Sequence, residues 1–207
     1  MGSLYLITGF PGVGKSTLMT NIANLLETEP GLIPIPSLET EIPVEIIYRN
    51  TEHSKSPFGI ILGEKGAPFP WLDTVSISQR WHDQEVALAL KDIFNQEFRI
   101  ILAESVRFAS SDLLALIQLI CAEYVSKRII FWLSAPSVRI VQQLGSRTAK
   151  TYSMLNPFSR SHILQQIKEF NLKSIMIPDG WHSKKIRLDG NMEKVIDQIL
   201  LEITEIE

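Results

Sequence analysis

The stretch Gly9-Phe10-Pro11-Gly12-Val13-Gly14-Lys15-Ser16 combines glycine, lysine and a hydroxyl at a spacing that suits the handling of phosphate. The pattern is G-x-x-x-x-G-K-S, and each part answers a physical need. Glycines at 9, 12 and 14 let the backbone turn tightly with positive φ and bring its N–H groups close to phosphate oxygens. Lys15 adds a point charge that reaches the outer phosphates, and the Ser16 hydroxyl is placed to ligate Mg²⁺. A helix starting here directs the positive end of its dipole at the same phosphates. The implied ligand is ATP or GTP with Mg²⁺, contacted by Gly9, Gly12, Val13, Gly14, Lys15, Ser16 and Thr17. If phosphoryl transfer follows, a carboxylate is also needed, to orient a metal-bound water or to accept a proton. Glu104, at the end of Phe98-Arg99-Ile100-Ile101-Leu102-Ala103-Glu104, is the strongest candidate, against the plainer reading of a structural acid at a strand end.

The elements that must position these groups are readable from apolar patterning. Leu4-Tyr5-Leu6-Ile7-Thr8 has strand character, and Leu18, Ile22, Leu25 and Leu26 mark the buried face of a helix after the loop. Residues 27–43 carry Pro30, Gly31, Pro34, Pro36 and Pro43 and predict a long surface loop. Strands are expected at 44–48, around 58–62, at 98–104, 127–133 and 186–190. Helices are expected from Ser76 or Ser78 to about Asn95, from Ser111 to Ser126, from Ser137 to Leu144, from Ser159 to Phe170, and along the Met192, Val195, Ile196, Ile199, Leu200, Ile203 stripe. Gly145-Ser146-Arg147-Thr148-Ala149-Lys150 reads as a polar, basic break. The near-continuous apolar run closing on Glu104 is that of a central parallel strand covered on both faces, and ligands of open α/β sheets lie at the carboxyl ends of such strands. Alternation of strands and helices predicts a parallel sheet with helices over it.

Composition narrows the setting. A chain of 207 residues suits one α/β domain. A net charge of −3 offers no bulk attraction to nucleic acid or an anionic membrane. The single cysteine, Cys121, lies in an apolar run and reads as a core thiol, so no disulfide framework arises. His53, His82, His162 and His182 fall at no metal-ligand spacing. No signal segment, myristoylation pattern or membrane-length apolar run is present, which makes a cytoplasmic setting the expectation.

Taken together the chain resembles the P-loop kinases of the adenylate kinase-like and nucleoside kinase-like group. Besides the loop, the likeness rests on Phe131-Trp132-Leu133-Ser134-Ala135-Pro136-Ser137-Val138 followed by Arg147, similar to that group's fourth strand, proline-started helix and basic lid, and on Ile186-Arg187-Leu188-Asp189-Gly190, similar to its usual ending. The resemblance implies a three-layer α/β/α P-loop NTPase fold as one domain over 1–207, with a mostly parallel central sheet of about five strands, an acceptor-side insertion around 51–80 and a lid around 145–158. It implies transfer of the γ-phosphate of a Mg-nucleotide to a small-molecule acceptor such as a nucleoside, nucleotide or similar hydroxyl compound, by a monomer or homodimer. The chain departs from the group where Glu104-Ser105-Val106-Arg107 replaces an Asp-Gly or acid-Arg pair, and where Gln142 or Gln143 stands in place of a lid-helix arginine.

Against this background Arg147 and Lys150 are expected to close over the donor phosphates, with an ordinary solvated turn as the alternative. Asp73 is the second candidate for the catalytic carboxylate, with an acceptor contact or a helix cap as its plainer reading. Arg107 holds an acceptor phosphate or pairs with Glu104. Gln79 and Arg80 touch the acceptor or belong to a polar helix face. Other readings are an NTP-hydrolysing switch or binding protein, for which no Asn-Lys-x-Asp base-reading motif is found, and a polynucleotide-end kinase, which asks for a basic groove.

Overall fold

Strand β1 (Gly2–Gly9) is buried along almost its whole length and is flanked on both edges by parallel neighbours. The computed structural model of the chain describes residues 1–28, 32–35, 40–43, 45–49, 60–63, 83–95, 100–148, 157–174 and 176–204. Among these the strands are β1, β2 (Leu32–Ile35), β3 (Thr40–Pro43), β4 (Glu45–Arg49), β5 (Ile60–Gly63), β6 (Ile100–Glu104), β7 (Val125–Ser134) and β8 (His182–Arg187). The helices are α1 (Lys15–Thr28), α2 (Asp83–Asn95), α3 (Ser111–Ile120), α4 (Ser137–Thr148), α5 (Pro157–Lys173) and α6 (Met192–Thr204), with a single tight helical turn at Val106–Ala109.

The main sheet has the order β4-β5-β6-β1-β7-β8. The strands β6, β1, β7 and β8 are parallel, whereas β5 runs antiparallel to β6 and to β4. Where a mostly parallel sheet of about five strands was expected, the sheet has six, four of them paired in parallel and β5 and β4 added to one edge through antiparallel pairings. Side chains of β1 alternate between two cores. Leu4 and Leu6 pack with Val86 and Leu90 of α2 and Leu113 and Ile117 of α3. Tyr5 and Ile7 pack with Leu18 and Ile22 of α1 and Val195 and Ile199 of α6. The same alternation runs along β7, with Ile130 and Trp132 on the first side and Ile129, Phe131 and Leu133 on the second. Helices therefore cover both faces, which is why the central strands read as continuous apolar runs.

Several expectations change. The supposed loop over 27–43 contains the end of α1 and an antiparallel ribbon pairing Leu32 with Pro43 and Ile35 with Thr40. Proline is tolerated there because each strand of a two-stranded ribbon keeps one unpaired edge. The last strand begins at His182, earlier than its apolar residues suggest. It is an edge strand with Ile186 buried among exposed neighbours, and Lys184 pairs with Glu202 of α6. Such charged edges resist unwanted pairing and hide the strand signal. Helix α3 stops at Ile120 because the Cys121 carbonyl accepts the N–H groups of Tyr124 and Val125, both at 3.1 Å, turning the chain into β7. Helix α4 continues through Gly145 to Thr148 instead of breaking there. A glycine costs a helix only about 1 kcal/mol relative to alanine, and the burial of Ile140 with the packing of Leu144 in the core holds the preceding turns.

Cys121 is fully buried, with Sγ 3.8 Å from the carbonyl of Ala87. Burial pushes the thiol up to about 12, against the opposing influence of Arg128 and Lys91. In the native protein it is expected to stay unreactive toward an aromatic disulfide reagent at pH 8 and to react fully once the chain is denatured. Because the folded value lies above the ordinary 9.0, the thiol's contribution to stability is complete below pH 9 and lost as pH climbs toward 12. Rapid labelling of the native protein would contradict this.

Candidate functional site

The carboxyl ends of β1 and β6 and the start of α1 converge on the glycine-rich segment. The turn is closed by the Val13 N–H donating to the Phe10 carbonyl at 3.0 Å, and α1 is joined to it by the Leu18 N–H donating to Gly14 at 2.9 Å. Gly12 has φ +82° and Gly14 φ +115°, where an L side chain is strained. Gly9 is not in that region, contrary to the expectation of positive φ at all three glycines. Its need is for room, since a Cβ there would lie 2.8 Å from the Leu133 carbonyl oxygen. A Cβ on Gly12 would meet Leu144 of α4 at 3.0 Å, so the loop is also pressed against that helix.

Lys15 is buried, and its ammonium donates to the carbonyls of Gly9 at 2.8 Å and Phe10 at 3.4 Å. The Ser16 hydroxyl donates to Oε1 of Glu104 at 2.9 Å. Parallel register places Glu104 beside Ile7, on the face that α1 covers, and the carboxylate is only 4% exposed. After Glu104 the chain stays tied to β1. The Ser105 N–H donates to Ile7 at 3.0 Å, and the Thr8 hydroxyl donates to Val106 at 3.5 Å. A buried carboxylate beside a hydroxyl, with a buried ammonium one residue before it, is a strongly polar cluster in a low-dielectric setting. It suits a divalent cation with a polyanion, and the glycine cradle leaves backbone where side chains would otherwise fill. Among the described residues no group of three His, Cys, Asp or Glu side chains could hold a metal alone.

The other expected residues fall less neatly. Arg107 pairs with Asp83 at the start of α2, at 2.5 Å, and not with Glu104. Arg147 lies within α4 rather than in a break, and its side chain is outside the described residues. Asp73, Gln79, Arg80 and Lys150 are also outside them, as is most of the expected acceptor-side insertion and lid.

Three contacts were not anticipated. Asp83 carried no pattern that marked it as a partner of Arg107. Phe10, inside the loop, meets the ring of Phe170 on α5 edge-on at 5.8 Å, and Phe170 in turn lies 5.6 Å from Trp132 of β7. Leu188, just past β8, reaches within 3.3 Å of where a Gly14 Cβ would stand, and its carbonyl accepts from Arg139 of α4 at 3.2 Å. The sequence signals for these were a Phe at a position the loop pattern leaves open and the Leu-Asp-Gly turn after the last strand.

No protein-family model matches the chain, and no curated protein matches it in sequence. Solved structures align with it along most of its length. One is an "uncharacterized protein from Eubacterium ventriosum", 10% identical, covering 98% of each chain with a TM-score of 0.47. Another is "a putative kinase from chloroflexus aurantiacus", 15% identical, covering 96% of each chain with a TM-score of 0.48. No helix among the described residues is long and apolar enough to cross a membrane.

Proposed function

We propose that the chain is a P-loop phosphotransferase that moves the γ-phosphate of Mg-ATP or Mg-GTP to a hydroxyl of a small-molecule acceptor. The observation that carries this reading is the 2.9 Å hydrogen bond from Ser16, at the head of the glycine-rich loop, to the buried Glu104. It couples the motif's hydroxyl to a strand-end carboxylate, the pair that a nucleotide-bound Mg²⁺ requires. Ser16 and Glu104 would hold the ion, which supplies positive charge against the phosphates when bound. The engagement of Glu104 with Ser16 favours a metal-side role over proton abstraction. Backbone N–H groups of Gly12, Gly14, Lys15 and Ser16 cradle the phosphates, and Lys15 offsets the charge that develops on the transferred group. Arg147 and Lys150 are assigned to closing over the donor, as the lid of adenylate kinase-like and nucleoside kinase-like proteins implies, and Asp73, Gln79 and Arg80 to the acceptor side. A cytoplasmic setting belongs to the same reading.

The test is a screen of nucleosides, sugars and other hydroxyl compounds with γ-labelled ATP and Mg²⁺. Acceptor-dependent transfer of label is the expected result. Release of inorganic phosphate alone, unchanged by every acceptor, would identify a hydrolase instead. Absence of any nucleotide binding by calorimetry at millimolar nucleotide would remove the reading altogether.

A further inference from the structure

We propose that Asp83 sets the acceptor class: by holding Arg107 it fits the site for an uncharged hydroxyl compound rather than a phosphorylated one. The inference rests on the phosphotransferase reading above and narrows it. Arg107 belongs to the tight turn Val106–Ala109, three residues beyond Glu104. That turn is anchored to the end of β1 by the Thr8 hydroxyl on Val106, and the Arg107 N–H donates to the Ser105 hydroxyl at 3.1 Å. A guanidinium fixed at this place is a natural receptor for a phosphomonoester, which it would grip through paired charge-assisted hydrogen bonds.

That receptor is already engaged. Arg107 Nη2 lies 2.5 Å from Asp83 Oδ1. Asp83 begins α2, where the helix dipole favours a carboxylate, so the acid is itself well placed. The pair is accessible, with side-chain exposures of 29% for Arg107 and 42% for Asp83. A ligand can therefore reach it, but an anionic acceptor must compete with a tethered carboxylate and meets its repulsion. A neutral hydroxyl compound meets neither obstacle. Glu104, which Arg107 could have neutralised, keeps its bond to Ser16.

The experiment is calorimetric titration of inorganic phosphate into the full chain after saturation with ADP and Mg²⁺, so that the loop is filled first. Wild type, Asp83→Asn and the double variant Asp83→Asn/Arg107→Gln are compared, with melting curves confirming that each is folded. Release of a part-exposed pair is expected to tighten phosphate binding about fivefold in Asp83→Asn, and the gain should vanish in the double variant. Equal phosphate affinity in wild type and Asp83→Asn overturns the proposal, as does a gain that survives loss of Arg107. Failure of the phosphotransferase reading shows separately, as absence of ADP binding in the first titration. The phosphate comparison between variants can still be made in that case.

Discussion

Lys15→Ala is expected to abolish phosphoryl transfer while leaving the chain folded. The ammonium is buried and its known partners include the carbonyls of Gly9 and Phe10, so it is held within the loop and not on a flexible surface stem. Removing one preorganised positive group from a water-poor site costs about 10²–10³ in turnover when it acts on developing charge. The structural cost falls on the hydrogen bonds of a charged donor, which include those to Gly9 and Phe10 and are on the order of 1.5–3 kcal/mol each, so folding and transfer must be read separately. Single-turnover transfer measured beside a thermal melt separates the two effects. Turnover within a factor of about ten of wild type would mean that Lys15 does not meet the transferred phosphate, a smaller loss than removal of such a group produces.

Glu104→Gln is the second large effect. The substitution keeps shape and leaves an oxygen able to accept from Ser16, but it removes the negative charge. A carboxylate that is 4% exposed is costly to keep ionised unless a cation or hydrogen-bond donors offset it. Transfer is expected to fall by about 10²–10⁴, the range for a lost acid–base or metal-orienting group. The Mg²⁺ concentration for half-maximal rate should rise, while nucleotide affinity without metal changes little. That split distinguishes a metal-side carboxylate from a merely structural one. Near-normal rate with an unchanged Mg²⁺ requirement would place Glu104 among the structural strand-end acids and leave Asp73 as the leading carboxylate.

The sequence by itself determined the parts of the molecule whose signals are local. The loop's glycines, Lys15 and Ser16 form a pattern because close backbone approach and point charge both act within a few residues. The central strands were legible because burial on both faces forces continuous apolar runs such as Ile101–Ala103 and Ile129–Leu133. Helix α6 was legible because one of its faces packs and the other meets water.

Only the tertiary structure decided the rest, and in each case the reason is an interaction between distant residues. The antiparallel edge of β4 and β5 depends on which neighbour completes the sheet, which no alternation of side chains records. β8 was mistaken at its start because an edge strand needs charge where a central one needs apolar groups. Gly145 did not end α4, since packing outweighed propensity. Gly9 required space against Leu133 rather than a positive φ. Arg107 found Asp83 instead of Glu104, and Glu104 found Ser16, because the folded sheet fixes which charges meet. Residue types supplied the chemistry; the parallel register of β1 with β6 brought the hydroxyl and the carboxylate to hydrogen-bonding distance.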